Sequence, residues 1–83
     1  MSQPNTKINH IVIHKRSIRI ARHNTSLSLE AEFWDELKRL AKAQKLSLNQ
    51  LVTKIDSARK GNLSSALRLY VLRELKSAFR RAE

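Results

Sequence analysis

Residues 25–34 read Thr25-Ser26-Leu27-Ser28-Leu29-Glu30-Ala31-Glu32-Phe33-Trp34, and the fold turns on a change of period inside that stretch. Up to Leu29 apolar and polar residues alternate, as in a strand with one buried face. From Phe33 onward the apolar residues Phe33, Trp34, Leu37, Leu40 and Ala41 fall within one arc of a helix. Glu30, Glu32, Asp35 and Glu36 crowd the first half of that helix, and Lys38, Arg39, Lys42 and Lys45 the second. This order complements the helix macrodipole and puts Arg39 and Lys38 beside Asp35. The charges form a solvated face, not a catalytic cluster.

Upstream, from His10, Ile11 and Ile13 and then Ile18 and Ile20 alternate with polar residues. Ile18 and Ile20 are even-numbered, whereas Leu27 and Leu29 are odd. A one-residue slip sends a side chain to the opposite face. Residues 21–24 are therefore expected to hold a bulge or turn, with Asn24 best suited to it. The polar segment 1–9, with the chain's one proline at position 4, is expected to be a flexible arm. It carries no apolar block after its charge and does not read as a signal peptide.

Downstream, Ser47 and Gln50 have capping-box spacing at the head of a second helix with the stripe Leu48, Leu51, Val52, Ile55 and Ala58. Gly61 follows Lys60 as a residue just past a helix end would. Asn62 then caps a third helix from Leu63 to about Ala82. Leu63, Ala66, Leu67, Tyr70, Val71, Leu72, Leu75 and Phe79 make that helix apolar over more than half its circumference, leaving a narrow polar stripe of Ser65, Arg73, Lys76 and Arg80. Such a helix is expected to pack between subunits. The organisation is thus an arm at 1–9, a strand-and-two-helix unit at 10–61 and a packing helix at 62–83.

Eighty-three residues make one domain. A domain of this size hides only about 60% of its unfolded surface. No cysteine is present to staple it, and oligomerisation is the remaining route to stability. No run of about 18 apolar residues exists to span a membrane. Seventeen Lys and Arg stand against seven Asp and Glu, a net charge of +10. Residues 1–29 hold Lys7, Lys15, Arg16, Arg19 and Arg22 and no acid. That excess points to an anionic polymer as partner, with contact beginning in the N-terminal part.

Two segments, Thr25 to Trp34 and Leu46-Ser47-Leu48-Asn49-Gln50-Leu51-Val52, resemble the ribbon-helix-helix (Arc/MetJ-type) family of DNA-binding proteins. With Lys15 to Ile20, Ile55-Asp56 and Asn62 to Arg68 they resemble a bacterial subgroup carrying an appended C-terminal helix. The resemblance implies a mainly α fold with a short β ribbon, a strand or hairpin followed by three helices. It also implies an obligate dimer whose antiparallel ribbon enters the major groove of double-stranded DNA. By position it carries base reading onto Asn24, Ser26 and Ser28, with Leu27 and Leu29 turned inward. Two positions depart from the pattern. Glu30 stands where many relatives have proline, and Lys45 and Leu46 stand where a glycine commonly separates the two helices.

Two sets of base-reading candidates remain open. If Arg16 to Ile20 forms a hairpin with Thr25 to Leu29, the ribbon is wider than two strands. Arg16, Arg19 and Arg22 then join Asn24, Ser26 and Ser28, since Arg is the commonest reader of guanine. Lys15, His23, Ser47 and Asn49 are candidates for phosphate positioning. Ser28 has a second reading as a helix cap. Leu27, Leu29, Trp34, Leu67, Tyr70, Val71 and Leu75 are the candidates for dimer or oligomer packing. Ser64 and Ser65 have no base at a recognisable spacing, and His10 and His14 alone do not make a zinc site. No catalytic residue, metal or cofactor is expected.

The expected function is transcription regulation, repression before activation, by a basic homodimer, or a tetramer on DNA, in the bacterial cytoplasm at the nucleoid, with no membrane partner. Two alternatives use the same fold. One is an antitoxin-type autorepressor with a toxin partner, and the other is a non-specific architectural DNA-binding protein.

Overall fold

Two strands precede three helices in the computed structural model, which describes residues 12–20 and 22–82. The arm expected at 1–9, the strand start expected at His10 and Ile11, and Ala21 within the expected turn lie outside the described residues. β1 (Ile13–Ile20) and β2 (His23–Glu30) pair antiparallel, with Ile20 opposite His23 and Ile13 opposite Glu30. The open alternative is thereby decided: the ribbon is a hairpin within one chain. β1 ends at Ile20 and β2 begins at His23, a separation that matches the shortest common hairpin. Asn24 is accordingly not in the turn; it lies in β2 opposite Arg19, because pairing continues to the very end of both strands.

The register explains the change of parity. Every pair joins residues of opposite parity, so even-numbered residues of β1 stand opposite odd-numbered residues of β2, and directly opposed residues share a face. Ile18 therefore lies on the same face as Thr25, Leu27 and Leu29. Ile18, Leu27 and Leu29 are buried beneath the sheet. β2 thus has its partner strand, β1, within its own chain.

α1 (Ala31–Ala43) starts directly from β2, with Glu30 as N-cap and no side-chain capping bond. Ser28 stays in the strand and does not cap it. Trp34, Leu37, Leu40 and Ala41 form the buried face of α1. Trp34 also donates its indole N–H to the His14 carbonyl at 2.9 Å, fastening β1 to the helix. The expected neighbour of Arg39 is corrected: Arg39 pairs with Glu36 at 2.8 Å, one turn back, not with Asp35.

The link to α2 (Leu48–Ala58) fills the glycine position with Lys45, at φ 60, a left-handed conformation. Lys45 N–H donates to the Lys42 carbonyl at 3.0 Å and Leu46 N–H to the Ala41 carbonyl at 2.8 Å. That pair of bonds is a Schellman motif, with Leu46 half-buried against the core. Ser47 and Gln50 form the expected capping box. Leu51, Val52 and Ile55 are buried, whereas Ala58 is exposed.

α2 stops at Ala58, earlier than Gly61 suggested. Arg59 becomes extended there, its guanidinium held by Asp56 at 2.6 Å and by the Gly61 carbonyl. Gly61 still takes the conformation only glycine adopts readily, φ +120. Asn62 caps α3 (Leu63–Ala82) as expected, its Oδ1 accepting from Ser65 N–H at 3.0 Å.

The core is closed by Leu63, Leu67 and Val71 of α3. Of the residues assigned to packing between subunits, Leu27, Leu29, Trp34, Leu67 and Val71 are already buried inside one chain. Tyr70 is half-buried and Leu75 exposed. The second apolar side of α3 remains uncovered, with Leu72, Leu75 and Phe79 at 48%, 42% and 68% exposure. Glu30 ties the ribbon's end to α3 through Arg68 at 3.0 Å, and that guanidinium lies 5.8 Å from the Phe33 ring centre.

Candidate nucleic-acid interface

The hairpin has an outer face opposite its core. On it three cross-strand rows stand side by side: Lys15 with Ser28, Ser17 with Ser26, and Arg19 with Asn24. All six are exposed. The two strands differ in character. β1 contributes Lys15, Ser17 and Arg19, a mostly basic row. β2 contributes Asn24, Ser26 and Ser28, which are neutral and can both donate and accept hydrogen bonds.

The sequence candidates therefore separate. Arg19, Asn24, Ser26, Ser28 and Lys15 come together on one surface. Arg16 does not join them; it lies in register with Leu27 on the inner face, its guanidinium 5.6 Å from the Trp34 ring centre. A guanidinium over an aromatic ring is a cation–π contact, which here occupies Arg16 within its own chain although the residue stays exposed. Arg22 sits in the turn, and His23 begins β2 opposite Ile20, so both stand at the tip of the hairpin. Ser17 was missed. Its signal was its parity, since it lies two residues from both Lys15 and Arg19.

Among the described residues the outer face carries no acid before Glu30. Its own backbone N–H, and then the Arg68 guanidinium, hold the Glu30 carboxyl below the ordinary carboxylate range. Its charge is thus already engaged by α3.

The start of α2 carries the remaining candidates. Ser47 Oγ accepts from Gln50 N–H at 3.0 Å, and Ser47 N–H donates to Gln50 Oε1 at 2.7 Å. Leu51 N–H opens the helical ladder on the Ser47 carbonyl. The N–H groups of Leu48 and Asn49 are then the unpaired ones of that first turn, suited to an anion. Ser47 holds the turn in shape, and Asn49 is exposed beside it.

No group of three potential ligands occurs among the described residues, and no described helix is long and apolar enough to cross a membrane.

The ribbon-helix-helix domain family matches residues 13–75, which takes in both strands, α1, α2 and most of α3. A solved structure, an uncharacterized protein from Bordetella pertussis Tohama I, is similar at 26% identity with a TM-score of 0.72, over 96% of this chain and 74% of that one. No curated protein matches.

Proposed function

The chain belongs to the ribbon-helix-helix family, and from that premise we propose that it is a sequence-specific regulator whose β2 reads bases while β1 meets phosphates. The family is one of DNA-binding regulators, without enzymatic activity, that bind as dimers. The observation that carries the finer reading is the division of the outer face: hydrogen-bonding neutral residues on β2, basic ones on β1.

Groove width supplies the physical reason. The major groove is about 12 Å wide and admits two strands. In antiparallel pairing the hydrogen-bonded rows alternate, and Ala31 N–H to the Val12 carbonyl identifies the odd residues of β2 as those bonded to β1. The N–H and C=O groups of Asn24, Ser26 and Ser28 then point to the other edge of a two-stranded sheet. That edge is neutral. The outer edge of β1 would place Lys15 and Arg19 of two copies close together, and like charges there oppose pairing.

Two copies joined through β2 make a four-stranded ribbon about 14 Å between outer strands, at about 4.8 Å per strand. The two β2 strands enter the groove, and each β1 lies at a rim beside the backbone. Asn24 suits adenine, and Ser26 and Ser28 suit several bases. Lys15 and Arg19, with Arg22 and His23 at the tip and the α2 start at Ser47 and Asn49, position phosphates. The uncovered stripe Leu72, Leu75 and Phe79 supports further association, a tetramer on DNA. Repression follows most simply, because a ribbon seated in a promoter excludes polymerase. Such a protein works at the nucleoid, in the bacterial cytoplasm.

The test begins with selection of bound sequences from random DNA, followed by titration of each variant with preferred and scrambled duplexes. Asn24→Ala or Ser26→Ala should lose about 1–3 kcal/mol of discrimination at symmetric positions of the two half-sites. Lys15→Ala and Arg19→Ala should weaken both duplexes alike, each lowering the salt slope by about one. If the β2 variants also weaken both duplexes equally, the ribbon does not read sequence, and the architectural alternative holds.

A further inference from the structure

We infer that the groove between the C-terminal end of α2 and the first half of α3 binds a small amphipathic carboxylate: an apolar body carrying one anionic group. The groove encloses about 510 Å³, within the range of about 300–1,000 Å³ that small-ligand sites occupy. Its walls are Ile55, Ala58, Ala66, Leu69 and Tyr70. Leu69 remains 46% exposed there, on the side of α3 turned away from its buried residues Leu67 and Val71. Lys54, Arg59, Lys60 and Arg73 stand around these walls, and no Asp or Glu lines the groove.

Two of these cations are already engaged. Arg59 is held by Asp56, and Lys54 donates to Gln44 Oε1 at 3.3 Å. Lys60 and Arg73 have no ion-pair partner among the described residues. An apolar floor with unpaired cations at its edge complements a ligand of the opposite arrangement, apolar below and anionic at the rim. The apolar walls also lower the local dielectric, which strengthens the attraction. A docked helix, about 10–12 Å across with its side chains, would need an open trough. Here the link through Arg59, Lys60 and Asn62 closes one end.

The groove is also wired to the α1–α2 turn. Tyr70 Oη on its wall accepts from Gln44 Nε2 at 2.7 Å. Gln44 is the C-cap of α1 and directly precedes the left-handed Lys45 that sets the approach to Ser47. A carboxylate that draws Lys54 away from Gln44, or shifts Tyr70, acts on the residue that aims the start of α2. Resting on the DNA-binding reading above, the ligand is therefore an effector of DNA affinity.

The experiment titrates the full, isotope-labelled chain with sodium octanoate, following backbone amides by NMR, with octylamine as the charge-reversed probe. Saturable shifts at Ala58, Ala66 and Leu69 are expected with octanoate and not with octylamine. The Lys60→Glu/Arg73→Glu double variant, altered only at exposed positions, should keep its melting temperature and weaken octanoate binding by about tenfold or more. Equal binding of octylamine, or shifts confined to the Leu72–Phe79 stripe, would overturn the site. Binding of an acidic amphipathic peptide without octanoate binding would overturn it in favour of a protein-docking surface. Saturating octanoate should change affinity for the selected duplex by about fivefold or more, and an unchanged affinity overturns the effector role. Octanoate binding in a chain that binds no DNA would instead refute the DNA reading while leaving the site intact.

Discussion

Replacing Lys45 by glycine should stabilise the protein, and the turn geometry gives the size of the effect. Lys45 sits at φ 60 between two helices, where its Cβ crowds the backbone. A left-handed conformation costs an L-residue about 1–2 kcal/mol. Glycine removes that cost but gives back about 0.4–1 kcal/mol through the greater freedom of the unfolded chain. The two Schellman bonds, Lys45 N–H to Lys42 and Leu46 N–H to Ala41, are backbone bonds and survive the change. The net gain is about 0.5–1 kcal/mol, which raises the melting temperature of a domain this size by about 3–6 °C. Lys45→Ala is the control, because it removes the same charge and keeps the strained backbone. Both variants are melted at one protein concentration, since association would shift the midpoint. If Lys45→Gly melts no higher than Lys45→Ala, the left-handed turn is not the feature that limits this link.

Three further outcomes are expected. Trp34→Phe should cost about 0.5–1.5 kcal/mol in urea unfolding, because the indole bond that fastens β1 to the helix through the His14 carbonyl is lost, and hydrogen exchange should accelerate first in β1. Glu30 has a carboxyl held below its ordinary value of 4.5 by its own backbone N–H and by Arg68. Its stabilising effect is then fully present above pH 4.5 and is lost as pH falls through the lower folded-state value. Glu30→Gln should flatten that acid limb of the melting-temperature curve and leave the shape above it unchanged. Ser47→Ala should lose about 0.5–2 kcal/mol with the capping box, while the preferred DNA sequence stays the same, since any phosphate there meets backbone N–H groups.

The elements themselves were legible in the chain because each is specified locally. The switch from period two to period 3.6 near Glu30 marks the passage from β2 to α1. Ser47 with Gln50, and Asn62, mark the heads of α2 and α3 through bonds made within one turn. The change of parity between Ile20 and Leu27 required a turn between them, although Asn24 proved to be a strand residue opposite Arg19 and not part of it. Side-chain composition pointed to a glycine at the end of α2, whereas the Arg59–Asp56 pair ended the helix first. The resemblance marked Lys45 and Leu46 as standing at a usual glycine position, but not that Lys45 itself takes the glycine conformation, which the Schellman bonds and the half-buried Leu46 hold in place.

What only the tertiary structure decided is which side of the ribbon each basic residue occupies. Arg16 and Arg19 look alike in sequence, three residues apart in one basic strand. Spacing of three in a strand puts them on opposite faces, but which face is buried depends on what packs beneath. Leu27, Leu29 and Ile18 settle against Trp34 and the helices, so Arg16 lies over the indole and Arg19 faces outward. Likewise, the sequence could show that α3 is apolar on two sides, not which side its own chain would cover. Leu63, Leu67 and Val71 meet the core because Asn62 and the α2–α3 link aim them at it, leaving Leu72, Leu75 and Phe79 outside. Local bonds set where each element begins; the choice of buried face is made only when the elements compete for the same apolar surface.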